Sequence, residues 1–254
     1  MKKKIFAFAA ALLMLFNLTA FAANDRVPIL LYHNITDSYD IHQKLVNITP
    51  DALRAHLEAI KNAGYNTITY KDFYQAVVGI KNLPENPILI TFDDGYLSNY
   101  QYAFPLLKEL NMNATIFIVT GSVGNYKLDH PHFNWDEARE MDNSGFVDIQ
   151  SHTHSHRDFH TLTPYETLYE VRMSKYLIEK NLGKNVSAIA YPYGFDNEYS
   201  QDIIKSAGFS MINYVGNVGS NGVDEGLDKL KRITVAGDWT PDKLLEILKQ
   251  NIGK

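Results

Sequence analysis

Residues 87–95 read PILITFDDG. Six residues of strand length, four of them large and apolar, run straight into two carboxylates and a glycine. A short apolar run with almost no polar alternation is the pattern of a strand covered on both faces, and such strands belong to parallel sheets. Parallel neighbours need crossovers, and the usual crossover is a helix. The flanking sequence supplies that order repeatedly. Upstream, VPILLY (27–32) precedes a helix from Thr49 to Ala63, with Thr49 as N-cap, Pro50 in the first position and Gly64 past the end. YNTI (65–68) and a helix from Thr69 to Gly79 then lead into 87–92. Downstream come a helix over 98–110, the strand ATIFIV (114–119), a helix from Trp135 to Asn143 and the strand FVDIQ (146–150). Thr163-Pro164-Tyr165-Glu166 is a capping box that opens a helix reaching Leu182. SAIAY (187–191), a helix near 198–207, SMINYV (210–215), KRITVA (231–236) and a last helix from Thr240-Pro241 complete the series. Seven or eight strands in this order fit an α/β fold closed as a β/α barrel. An open doubly wound sheet is the alternative, and no G-x-G-x-x-G follows the first strand to support a dinucleotide site there.

The chain has 254 residues, no cysteine and a net charge of −5. It begins with Lys2, Lys3 and Lys4, an apolar run from Ile5 to Phe16, and Ala20-Phe21-Ala22. That run is shorter than the ~20 apolar residues that span a bilayer, and an A-x-A site follows it. The reading is a secretory signal over 1–22, cleaved after Ala22, and one domain over 23–254. An uncleaved anchor is the alternative. Export places the protein in the periplasm, on the cell surface or in the medium. Without cysteine there are no disulfides, and a chain of this size can bury enough core to do without them. An acidic chain that loses three lysines with its signal is a poor match for nucleic acid or anionic lipid. No stable membrane insertion is expected after cleavage, and a monomer is the simplest state. The 16 Tyr and 13 Phe suit sugar stacking and an ordinary core equally.

Polar groups collect at the ends of the predicted strands. His33 follows VPILLY, Asp93-Asp94 follow PILITF, His152 follows FVDIQ, Tyr191 to Gly194 follow SAIA, and Asp238-Trp239 follow RITVA. In β/α barrels the C-terminal strand ends form the site, so five separate stretches point to one face. SHTHSHRDFH (151–160) carries four histidines. If the chain turns helically after the strand, His152 and His156 share a face and can hold one ion, with His154 turned away. A continuing strand would instead group His152, His154 and His156. Two imidazoles call for a third ligand, commonly a carboxylate, and TFDDG (91–95) offers one. Adjacent carboxylates at a buried mouth repel unless a cation neutralises one. One aspartate on the metal and one free as a base is therefore a coherent division, with Gly95 giving the backbone freedom to turn both to the mouth. A helix N-cap with a solvated neighbour is the plainer reading of the same pair. His42, His56, His130 and His132 have no supporting pattern, and His130-Pro131-His132 reads as a surface loop.

Taken together, these stretches resemble the polysaccharide deacetylases of carbohydrate esterase family 4, over nearly all of residues 23–254. TFDDG is similar to their first motif, which implies Asp93 as base and Asp94 as metal ligand. His152-Thr153-His154-Ser155-His156 is similar to the second, which implies His152 and His156 as the other ligands. Ala190-Tyr191-Pro192-Tyr193-Gly194 is similar to the third, with Ala190 where the family commonly has arginine. Asp238-Trp239 is similar to the fourth, whose Trp lines the acetyl pocket. The usual C-terminal Leu-x-His is missing. ILLYHN (29–34) resembles the N-terminal version found in the branch acting on poly-β-1,6-N-acetylglucosamine, which implies His33 as general acid. The resemblance implies an irregular (β/α)7 barrel and a divalent metal, Zn²⁺ ahead of Co²⁺ or Mn²⁺. It implies hydrolysis of N-acetyl groups from an N-acetylated polysaccharide, with the Tyr193 backbone N–H steadying the oxyanion and Trp239 beside the methyl group. Peptidoglycan and chitooligosaccharides are alternative substrates. A glycosidase using Asp93 with a second acid leaves the histidine pair unexplained. A metal-containing glycan binder without turnover is the alternative that the Ala190 departure leaves open.

Overall fold

The fold is taken from a computed structural model that describes residues 26–38, 41–216 and 219–251. The expected signal segment, 1–22, lies outside the described residues. The elements are β1 (Arg26–Tyr32), β2 (Asn34–Ile35), β3 (Asn47–Ile48), α1 (Pro50–Asn62), β4 (Asn66–Thr67), α2 (Tyr70–Val77), β5 (Pro87–Phe92), α3 (Phe104–Leu110) and β6 (Ala114–Ile118). They continue with α4 (Trp135–Asn143), β7 (Val147–Ser151), α5 (Pro164–Leu182), β8 (Ala188–Ala190), α6 (Ser200–Ser206), β9 (Met211–Asn213), β10 (Ser220–Gly222), β11 (Ile233–Thr234) and α7 (Pro241–Asn251).

All six residues of β5 are buried, as an apolar run without alternation requires. Its side chains still divide by parity. Ile88, Ile90 and Phe92 join the cluster shared with Leu53, Leu57 and Ile60 of α1. Leu89 joins Val27, Ile29, Phe117, Ala188, Ala190 and Met211 in the second cluster, to which α2 adds Tyr70 and Phe73. One face of the sheet thus packs on α1, and the other on the barrel interior, which α2 joins. Parallel pairing runs in the order β1-β5-β6-β7-β8-β9. The return to β1 is made by a short segment. Leu230 bridges Asn213 at the β9 edge, and β11 pairs with β1 at Leu30↔Ile233 and Leu31↔Thr234. The result is an irregular β/α barrel, as expected, and not an open sheet.

The caps read from sequence are formed. Thr49 accepts from the Ala52 amide, and Thr163 and Glu166 make both bonds of the capping box. Gly183 ends α5 in the left-handed region at φ 68°. Two expectations are corrected. No helical turn follows β7; the chain leaves it through left-handed residues, Thr153 at φ 70° and His156 at φ 57°. His132 is no surface residue: it is 7% exposed, with its ring 5.1 Å from that of Tyr96, because the loop folds back in a bridge between the two. The antiparallel strand β10 on β1 and the two-residue β2–β3 pair were not foreseen. Among the described residues no helix is long and apolar enough to cross a membrane.

Candidate metal centre and active site

The turn after β5 sets two neighbouring carboxylates on one side of the chain. Both Asp94 (φ 74°) and Gly95 (φ 83°) are left-handed, so the freedom expected of Gly95 is needed one residue earlier as well. A left-handed aspartate costs about 1–2 kcal/mol, a strain that concentrates at functional turns. Asp94 Oδ1 then lies 3.3 Å from His156 Nε2 and 3.5 Å from His152 Nε2. Ligand atoms of all three residues fall within 4.8 Å of one another. Four donors around a tetrahedral ion at about 2.1 Å stand roughly 3.4 Å apart, so this spacing fits one cation.

The protonation of His152 agrees. Its Nδ1 lies 2.9 Å from the Ala190 carbonyl, which can only accept, so Nδ1 carries the proton and Nε2 turns a lone pair to Asp94. Burial holds His152 down to about 4 despite the Asp93 charge beside it, which keeps the ring neutral as a ligand must be. The loop between the two histidines is fastened from α5. Glu170, 2% exposed, accepts from the amides of His154 (3.0 Å) and Ser155 (2.7 Å). Thr153 Oγ1 accepts from the His156 amide at 3.2 Å. His154 faces away from the cluster, at 3.0 Å from Thr120 Oγ1 and against the Tyr169 ring.

Asp93 is fully buried, with Oδ2 3.5 Å from His152 Nε2. Its partner is Arg232, also fully buried, which donates Nη1 to Oδ1 at 2.7 Å and Nη2 to Oδ2 at 2.8 Å. Burial alone would push this carboxyl up. The Arg232 charge, His152 and the paired hydrogen bonds outweigh it and bring Asp93 down to about 2. Arg232 is itself fixed by a bond from Nε to the Tyr214 carbonyl at 3.0 Å. Arg232 therefore supplies Asp93 with the cationic partner that Ala190 cannot, and the sequence reading did not find it. A signal existed: an arginine inside the apolar run KRITVA must be buried, and a buried arginine needs a carboxylate.

Of the seven residues singled out, Asp93, Asp94, His152 and His156 converge. His33 lies close enough to Asp93 to interact with it electrostatically, and its buried Nδ1 has no hydrogen-bond partner among the described residues. Tyr193 places its ring 4.8 Å from that of His156. Trp239 stands apart from this cluster in the described contacts: it is half-buried against the main core, and its carbonyl lies 2.8 Å from His56 Nε2. Asp238 pairs with Lys44 at 2.9 Å. Tyr96 was missed. It is half-buried beside Asp94, and partial burial followed by that carboxylate raises its phenol.

Residues 80–212 match the family profile described as polysaccharide deacetylase. A Bacillus subtilis protein, YxkH, whose name places it among polysaccharide deacetylases, is 32% identical over 83% of this chain and 72% of its own. The poly-beta-1,6-N-acetyl-D-glucosamine N-deacetylase of Staphylococcus epidermidis is 27% identical over 77% of this chain and 70% of its own. The chain spans only 36% of the Escherichia coli (strain K12) protein of that name. The structure of the Streptococcus pyogenes deacetylase PplD in complex with acetate superposes with a TM-score of 0.78 at 26% identity, covering 87% of this chain and 97% of that one.

Proposed function

This chain belongs to the polysaccharide deacetylase family, and from that membership we propose that it hydrolyses N-acetyl groups from N-acetylglucosamine units of a surface polysaccharide, with poly-β-1,6-N-acetylglucosamine first among the substrates. One observation carries the reading: Asp94, His152 and His156 lie within ligand distance of one another beside Asp93, which Arg232 keeps ionised. The polymer is supported by the name of the Staphylococcus epidermidis relative and by the placing of His33 at the end of β1.

Asp94 Oδ1, His152 Nε2 and His156 Nε2 would hold a divalent cation, and two nitrogens with one oxygen suit Zn²⁺, with Co²⁺ or Mn²⁺ as substitutes. A cation bound there would supply Lewis acidity toward the amide carbonyl and toward a nucleophilic water at neutral pH. Asp93 takes the water proton. Arg232 holds both carboxylate oxygens of Asp93, which fixes where that proton goes. The Tyr193 backbone N–H donates to the carbonyl oxygen as negative charge develops on it. An amine leaves poorly as an anion, so His33 gives it a proton. Acetate and a free amine are the products. Export through the 1–22 signal brings the enzyme to its polymer.

Acetate release from defined N-acetylated glycans, by metal-stripped protein and by protein reloaded with Zn²⁺, Co²⁺ or Mn²⁺, tests the proposal. Release is expected only after reloading. Asp93→Asn should keep metal binding and lose release by a factor on the order of 10²–10⁴, the usual worth of a general base. No release from any glycan with any ion overturns the assignment.

A further inference from the structure

The rim of the site carries two exposed rings that the chemistry above does not use. Phe195 is 46% exposed, unusual for a phenylalanine, and it lies two residues beyond Tyr193. Its ring stacks on that of His160, with centroids 4.7 Å apart and planes at 22°. The two rings come from different loops, one after β7 and one after β8. Asn197 Nδ2 donates to the Phe159 carbonyl at 2.6 Å, and Phe159 packs edge-on against Tyr191 at 5.2 Å, so the loops are joined beneath the rings. Asp158 accepts from the His160 amide at 2.9 Å and sets that end.

The backbone that presents Phe195 is held under constraint. Tyr193 is left-handed at φ 60°, a conformation that a tyrosine adopts at a cost. Gly194 follows at φ 78°, and a Cβ there would stand 2.8 Å from both the backbone nitrogen and the Cβ of Val215. Gly194 therefore lies tight against Val215, between Tyr193 on His156 and Phe195 on His160.

We propose that the Phe195–His160 stack is the floor of a subsite for a pyranose ring next to the sugar whose acetamido group enters the metal centre. The inference rests on the polysaccharide reading and deepens it. A pyranose has an apolar face of axial C–H groups and a polar edge of hydroxyls. An aromatic face matches the first and leaves the second in water. Continuity with the centre identifies the occupant. Tyr193 packs on His156 and Phe195 follows two residues later, so these rings lie on one path open to the neighbour of a residue seated over the cation. A single N-acetylglucosamine has no neighbouring ring to place on the stack. The stack therefore selects chains over monomers and acts through substrate binding, not through the reaction at the amide.

The test is steady-state acetate release from N-acetylglucosamine, from its β-1,6-linked oligomers of two to six units, and from a small acetyl ester, using the full chain loaded with Zn²⁺. Phe195→Ala should raise KM for the tetramer roughly tenfold, the scale of one lost ring contact, and leave kcat within about twofold. The ester rate should not change. His160→Ala should act in the same direction, and Phe195→Tyr, which keeps the ring face, should restore the parent KM. The inference is overturned if tetramer KM is unchanged in Phe195→Ala, or if tetramer and ester rates fall together in a folded variant. If the parent protein releases no acetate from any glycan, the parent reading fails separately. Calorimetric titration with the tetramer then decides the subsite: binding that Phe195→Ala weakens supports it, and no binding by the parent protein removes it.

Discussion

Arg232 illustrates how a single side chain can be necessary yet hard to read. Its two hydrogen bonds hold both oxygens of Asp93, and neither residue is exposed. Removing one member of such a pair leaves an uncompensated buried charge, which costs about 3–5 kcal/mol. Arg232→Met should therefore lose stability on that scale, as measured by denaturant titration. It should also let burial raise the Asp93 carboxyl, so the acid limb of the pH–rate profile moves upward. Arg232→Lys keeps the charge without the paired geometry and should fall between the two. An acid limb that stays in place in Arg232→Met would contradict the role given to this pair. The Asp93-Asp94 and His152/His156 pairs were legible because sequence spacing encodes them locally. Arg232 was not, because its partner lies 139 residues away and only the barrel's closure brings them together.

At the scale of elements, the strand runs and helix caps were readable because each depends on a few adjacent residues: Thr49 with Ala52, Thr163 with Glu166, Gly183 past its helix. The β2–β3 pair consists of two-residue strands, too short to show any periodicity. His152 and His156 come together by a route other than the helical turn considered from sequence. A helical turn was expected; left-handed Thr153 and His156 do the work, and what holds them is Glu170, sixteen residues on from His154. A buried carboxylate that accepts from two loop amides cannot be replaced by solvent. Glu170→Ala should free the loop between β7 and α5, weakening Zn²⁺ binding by roughly tenfold to a hundredfold, as losses in the outer shell of a metal site do. Competition with a chromophoric chelator measures this without any turnover. Glu170→Gln retains an acceptor oxygen and should lose less. An unchanged Zn²⁺ affinity in Glu170→Ala would show that the loop is fixed without it.

The barrel as a whole encloses several histidines in their neutral form, and that makes its stability depend on pH. Fully buried His152 is held at about 4, below its ordinary 6.5. Between those values the unfolded chain binds a proton there and the folded chain does not. Stability of the metal-free protein therefore falls as pH drops from about 6.5 through about 4, by about 3 kcal/mol from His152 alone. Burial also lowers His56 and His132, which adds to the loss in the same direction. Asp93 acts in a different window: its depressed carboxyl contributes stability above its ordinary 3.8, lost only as pH falls through about 2. Protons and a divalent cation compete for the same His152 lone pair, so Zn²⁺ should move the loss to lower pH. Urea midpoints measured from pH 7.5 to pH 4 should show a steep decline without metal and a delayed one at saturating Zn²⁺. His152→Gln should flatten the metal-free curve in this range. Midpoints of the metal-free parent that stay level between pH 6.5 and 4 would mean that these imidazoles are not buried neutral, and the interior described here would be wrong at its centre.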